Sequence, residues 1–230
     1  DTLSGSIDVG YDYLRGSDST GNFLYENLSL PMGLTWDTRD NALDATRGFY
    51  VDGELMPFLG FGSTDSGERL YLDGRAYHGF GGTPLNRRVV LAGRVQLGGV
   101  YGASLLGTPR DFLFYSGGGG TVRGQPYQSL GVTTTLSNGE KLETGGSHFL
   151  GASVEVRTMV TETIGVVGFY DFGQVSAVDF FDGNAETQAG AGIWVRYKTS
   201  VGPIRLDVAM PVEGNTGDGV QFYVGLGQAF

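Results

Sequence analysis

Gln221-Phe222-Tyr223-Val224-Gly225-Leu226-Gly227-Gln228-Ala229-Phe230 is the stretch on which the fold turns. With Val220 it alternates. Val220, Phe222, Val224, Leu226 and Phe230 fall on one face, and Gln221, Tyr223, Gly225, Gly227 and Ala229 on the other. A period of two belongs to a β-strand whose faces meet different surroundings. The stretch before it sets Ile204, Leu206, Val208 and Met210 against Pro203, Arg205, Asp207 and Ala209.

The same pattern recurs toward the N-terminus. Residues 188–199 put Ala191, Ile193, Val195 and Tyr197 opposite Trp194, Arg196 and Lys198. Residues 163–173 put Ile164, Val166, Tyr170 and Phe172 opposite Thr163, Gly165 and Asp171, and 149–160 put Leu150, Ala152, Val154 and Val156 opposite Ser153, Glu155 and Arg157. Residues 88–99 set Val89, Leu91, Val95 and Leu97 against Arg88, Arg94 and Gln96. Residues 24–37 set Leu28, Leu30, Met32, Leu34 and Trp36 against Asn27, Ser29 and Asp37. Segments near 3–14, 47–58 and 68–80 alternate less cleanly. The pattern predicts an all-β, antiparallel protein of about ten strands, each of roughly 9–14 residues. Strands of that length suit a bilayer core. Strands of a soluble β-sandwich or lectin-like domain, the competing reading, usually run to about 5–6 residues.

Composition agrees. The 230 residues include 41 Gly and 12% aromatics, but only 17% are charged. That mixture is too apolar for disorder and too rich in glycine for a helical protein. No run of about 18 apolar residues offers a transmembrane helix. No N-terminal signal sequence is seen, so an exported chain is expected to be mature or excised from something longer. With no cysteine there are no disulfides or thiolate metal sites, and no cofactor is expected. A net charge of −10 argues against nucleic acid as a partner.

Connections alternate in length. Residues 161–162 and 200–202 read as tight turns, and 174–187 and 212–218 as longer polar loops. The connection 101–148 is far longer. In outer-membrane barrels short turns face the periplasm and long loops face outside, which places both ends of the chain on the periplasmic side. A connection of about 46 residues is usually functional. It contains Ser116-Gly117-Gly118-Gly119-Gly120-Thr121-Val122-Arg123-Gly124-Gln125-Pro126-Tyr127. A phosphate-cradling loop needs Gly-Lys-Ser/Thr leading into a helix, and none follows. Close backbone approach is the better reading of these glycines.

Other chemistry-bearing residues read as structural. Glu155 and Asp171, on the polar faces of adjacent predicted strands, both point inward; as a glycosidase pair they lack an implied sugar cleft. His78 and His148 have no nucleophile–acid partners nearby and are too far apart to suggest a metal site. No catalytic residue or metal ligand is expected, and the chain does not read as an enzyme. Trp36 reads as an interfacial girdle residue, and Asp37, Arg39 and Asp40 as turn-capping residues.

Val122-Arg123-Gly124 resembles the loop motif of the BamA/TamA-type outer-membrane assembly and translocation barrels. Phe169-Tyr170-Asp171-Phe172-Gly173 is similar to their aromatic-x-Asp-x-Gly strand motif, and Gly151–Arg157 to the strand before it. Asp37-Thr38-Arg39-Asp40-Asn41 with Thr46-Arg47-Gly48 resembles a periplasmic turn of these barrels. Gly202-Pro203-Ile204-Arg205-Leu206-Asp207 and the ending 222–230 resemble TamA in particular. One departure is Gln125, where the family has an aromatic; Tyr127 is the candidate to supply the ring. The resemblance implies a sixteen-stranded barrel preceded by periplasmic POTRA domains. Residues 1–230 would then be its C-terminal outer-membrane barrel part, lacking the POTRA domains and the first strands, or a reduced barrel closed at ten.

The resemblance further implies a long extracellular loop folded into the lumen, with Arg123 paired to Glu155 and Asp171 through charge-assisted bonds. It implies insertion or export of client outer-membrane proteins, including autotransporters, with the lipid bilayer and an inner-membrane-anchored periplasmic partner of TamB type. A closed barrel has a free edge only at a weak seam, where β-augmentation of a client strand can occur. Gly225 and Gly227 would weaken the last strand. Residues 220–230, including Val220, Phe222 and a lipid-facing Phe230, are therefore the expected gate strand. A porin-like passive channel and a barrel serving as membrane anchor are the alternatives.

Overall fold

In a computed structural model, residues 1–18, 21–81, 89–136, 138–200, 202–215, 217, 219–227 and 230 are described. Arg88, Gln228 and Ala229 of the alternating pattern lie outside them. The strands are β1 (Thr2–Ile7), β2 (Gly10–Asp18), β3 (Gly21–Ser29), β4 (Met32–Asp37), β5 (Arg47–Phe61), β6 (Gly67–Phe80), β7 (Val89–Tyr101), β8 (Val132–Thr135), β9 (Lys141–Thr144), β10 (His148–Met159), β11 (Ile164–Ser176), β12 (Glu186–Thr199), β13 (Gly202–Glu213) and β14 (Gln221–Leu226).

Twelve strands form one antiparallel sheet, and β8–β9 is a separate ribbon inside the long connection. β2 pairs with β3 and β1 with β4, so these four strands make two broken staves. The sheet therefore has ten staves, as the alternation predicts. The break in the second stave is chemical. Pro31 has no N–H to give to the ladder, but its carbonyl accepts from the Asp8 amide at 2.9 Å. From β5 onward the order follows the chain, with β7 beside β10, so the long connection leaves and re-enters at neighbouring strands. Among the described residues no ladder joins β14 to β1 or β2.

The period of two becomes a physical sidedness. On the outer face Leu72, Val95, Val154, Val156, Ile193, Val195, Ile204 and Leu206 are all exposed. Trp36 stands among them, edge-on to Phe49 at 4.7 Å. An apolar face this wide suits contact with lipid rather than water. The inner face carries Asp73, Arg94, Gln96, Glu155, Arg157, Asp171, Trp194 and Asp207. The hollow of the sheet is filled, not open. Phe112, Phe114, Leu130 and Val132 of the long connection pack against Met56, Phe58, Val100, Phe149 and Val175 of the wall.

The final strand differs from the expectation. Phe222, Val224 and Leu226 do face outward, but the strand covers only 221–226 and Val220 lies just before it. At Gly227 the backbone takes φ +84°, and its amide donates to the Pro203 carbonyl at 2.7 Å. This left-handed residue ends the alternation. Phe230 lies inside the sheet, 6% exposed, against Ala45, Tyr77 and Ala92. It is not on the lipid face.

Candidate functional site

The site is built where the long connection meets the inner faces of β10–β14. Its first part is Arg123, which is 2% exposed. Its Nε and Nη2 donate to the two oxygens of Asp171 at 2.7 and 2.9 Å, and its Nη1 donates to Glu155 Oε1 at 2.7 Å. The backbone amide of Arg123 adds a bond to Asp171 Oδ2 at 3.1 Å. Both acids come from the inward positions of neighbouring strands, as the alternation requires. The guanidinium also lies 3.6 Å above the Phe169 ring, so three strand residues hold it in plane. Arg157, also inward on β10, donates its Nε to the other oxygen of Glu155 at 2.8 Å. Its Nη2 reaches the Phe230 carbonyl at 3.1 Å. The structure thus brings together Val122, Arg123, Gly124, Glu155 and Asp171, and adds Arg157 to them.

Missing side chains make this approach possible. A Cβ at Gly190 would lie 1.8 Å from the Arg123 carbonyl, and one at Gly173 would lie 2.2 Å from Ser116 Oγ. A Cβ at Gly124 would meet the Met210 backbone at 2.6 Å, and Gly124 itself has φ +92°. Loop and wall touch backbone to backbone at Gly190 and Gly124, and at Gly173 the Ser116 side chain fills the space a Cβ would take, which only glycine permits. The β12–β13 ladder shifts register between Ala189 and Gly190. Gln125 fills that irregularity. Its Nε2 donates to the Ala189 carbonyl at 3.0 Å and to the Glu213 carbonyl at 2.9 Å. Gln188 Nε2 donates to Ser116 Oγ at 2.9 Å. An amide side chain therefore stands where the family carries an aromatic, and it uses two carbonyls that the bulge leaves available. Tyr127 does not replace the ring; it is 79% exposed.

Among the described residues, Tyr223 is the side chain of the last strand that meets the loop in polar contact. Tyr223 points inward among Val167, Phe169, Trp194 and Ala209. Its hydroxyl accepts the Gly124 amide at 3.0 Å and lies 3.5 Å from the Gln125 carbonyl, to which it can donate. Gly225, next inward on β14, makes room for Arg205. A Cβ there would sit 2.6 Å from Arg205 Nε. Arg205 in turn faces the fully buried Asp207 at 3.6 Å. Sequence reasoning missed Tyr223 and Gln125 as contacts of the motif. For Tyr223 the signal was present, since the alternation already placed it inward on the final strand.

The sequence model of the Omp85 superfamily domain matches residues 4–230. Among solved structures, the crystal structure of BamA from Haemophilus ducreyi lacking POTRA domains 1-3 is similar to this chain, with a TM-score of 0.74 at 17% identity. The match covers 96% of this chain and 50% of that one. The chain therefore spans about half the length of the solved chain it matches, and at that identity the likeness is one of fold.

Proposed function

Because the chain belongs to the Omp85 superfamily, we propose that it is the barrel of an outer-membrane protein assembly or translocation factor, and that β14 is its gate strand. One observation carries this reading. β14 pairs with β13 over only six residues, Ile204–Ala209, whereas β12 and β13 pair along nearly their whole length. Where its outer side is free, a short, glycine-containing strand presents unsatisfied backbone donors and acceptors. A client strand can satisfy them by β-augmentation. The loop anchored by Arg123 is, in this reading, the internal support of the same edge.

The narrower assignment to the TamA type, with autotransporter clients and a TamB-type partner, is supported by Gly202–Asp207 and the ending 222–230. The passive-channel reading is less well supported, because the long connection packs into the space a pore would need.

The test uses the absence of cysteine. Single cysteines placed at Gln221, Phe222 and Val224 of β14, with a client barrel that carries one cysteine in its terminal strand, should give mixed disulfides while the client inserts in proteoliposomes. Client insertion at the parent rate with no crosslink to any of the three positions rules the gate out.

A further inference from the structure

Among the described residues the loop and β14 meet in polar contact through one side chain, the Tyr223 hydroxyl, which accepts from the Gly124 amide and reaches the Gln125 carbonyl at 3.5 Å, and the geometry is asymmetric. The loop is fixed to β10 and β11 through Arg123, and to β12 and β13 through Gln125. To β14 it is joined through the Tyr223 hydroxyl on the Gly124 amide. The inward face of β14 offers little else. Its inward residues are Gln221, Tyr223 and Gly225, and Gly225 has no side chain to place on the loop.

We propose that Tyr223 is the releasable latch of the gate strand and Gln125 the fixed anchor that positions the loop to receive it; the proposal rests on the gate reading given above. The latch depends on the conformation of Gly124. With φ +92° and no room for a Cβ against the Met210 backbone, Gly124 turns its N–H toward β14. Arg123, one residue earlier, is clamped by two acids, so the N–H is held in place whether or not Tyr223 is present. A receptor fixed on one side and a single phenol on the other can part and rejoin without dismantling the loop. Breaking the contact leaves one amide, one hydroxyl and the Gln125 carbonyl at the longer contact for water or for a client backbone. Breaking the Arg123 or Gln125 contacts would instead strand a buried charge or two strand carbonyls. The latch is therefore the weakest polar joint in the chain of contacts from Asp171 to β14. It is also the joint through which loop position is felt at the edge strand.

Hydrogen exchange on the full chain in lipid nanodiscs, with no client, separates the two roles. Tyr223→Phe keeps the ring and removes the hydroxyl. It should speed exchange of 221–226 about tenfold, with amides 117–123 and the β10–β11 ladder unchanged. Gln125→Ala should speed exchange across 117–130 and across 221–226 together, because the receptor itself moves. Unaltered exchange at 221–226 in Tyr223→Phe overturns the latch. So does an equal loosening of 117–123 in that variant, which would make Tyr223 part of the loop's own anchoring. Slow exchange in β10–β11 certifies that each variant is folded. Client insertion is then measured separately. If the exchange pattern appears but Tyr223→Phe inserts clients at the parent rate, the latch stands and the gate function fails.

Discussion

At the scale of the residue, the guanidinium of Arg123 does what no other side chain could do at this point. Its planar fork reaches both oxygens of Asp171 and one of Glu155 while lying flat on Phe169. Lysine offers a point charge without the fork. Arg123→Ala should destabilise the folded chain by about 3–5 kcal/mol, because two buried carboxylates lose their main counter-charge. Arg123→Lys should recover only part of that. Guanidinium titration in lipid vesicles checks both, and equal stability of Arg123→Ala and the parent would show that the ion cluster contributes nothing. Arg123, Glu155 and Asp171 were legible in the sequence because the period of two fixed the acids inward and the loop motif resembled a known one. Gln125 and Tyr223 were not linked to them, since their partners are main-chain groups. Main-chain carbonyls and amides carry no signature in a sequence, and a bulge such as that at Ala189–Gly190 leaves none either.

Whole elements were legible wherever alternation ran unbroken. β10 to β13 fall close to their predicted limits because each strand buries one face and exposes the other. The reading failed at the end of the chain, where the last strand stops at Leu226, Gly227 takes φ +84° and Phe230 lies on the inner side rather than the outer. Contacts between connections were also invisible. The turn between β5 and β6 is clipped to the start of the long connection by Asp65. Its carboxylate accepts the Ser104 amide at 2.9 Å and the Ser104 hydroxyl at 2.5 Å, while its own amide donates to the Gly107 carbonyl at 2.9 Å. The Ser104 hydroxyl, helped by the amide, holds the Asp65 carboxyl below the usual carboxylate range. A depressed acid stabilises the fold above its ordinary pKa of about 4, and that stabilisation is lost as pH falls through the folded value. Exchange of amides 104–108 should therefore accelerate, beyond its intrinsic pH dependence, as pH drops from 6 to about 3. Asp65→Asn should flatten that excess. If it persists in Asp65→Asn, other carboxylates control this corner.

At the scale of the whole molecule, the sheet is inside-out relative to a soluble domain, with aliphatic residues outside and buried charges such as Arg123, Glu155 and Asp171 within. Leu72 shows the consequence. It is 39% exposed, near the middle of β6, and its register neighbours are Gly53 and Leu97. On a protein surrounded by water, Leu72→Arg would be a surface change worth within about 0.5 kcal/mol. On a wall facing hydrocarbon, the same change desolvates a guanidinium with no counter-charge among its register neighbours Gly53 and Leu97. Near the bilayer midplane this costs about 2–4 kcal/mol, and it falls toward zero at the interfaces. The position of Leu72 in mid-strand, away from the Trp36 and Phe49 ring pair, places it in the costly zone. Folding of Leu72→Arg into lipid vesicles, followed by denaturant titration, should show the larger loss. Glu68→Arg, on the same outer face one residue from the end of β6, should show little. A near-neutral result at Leu72 would mean that the outer face does not meet lipid. The fold would then stand, but the edge strand β14 would have no bilayer into which a client could be released.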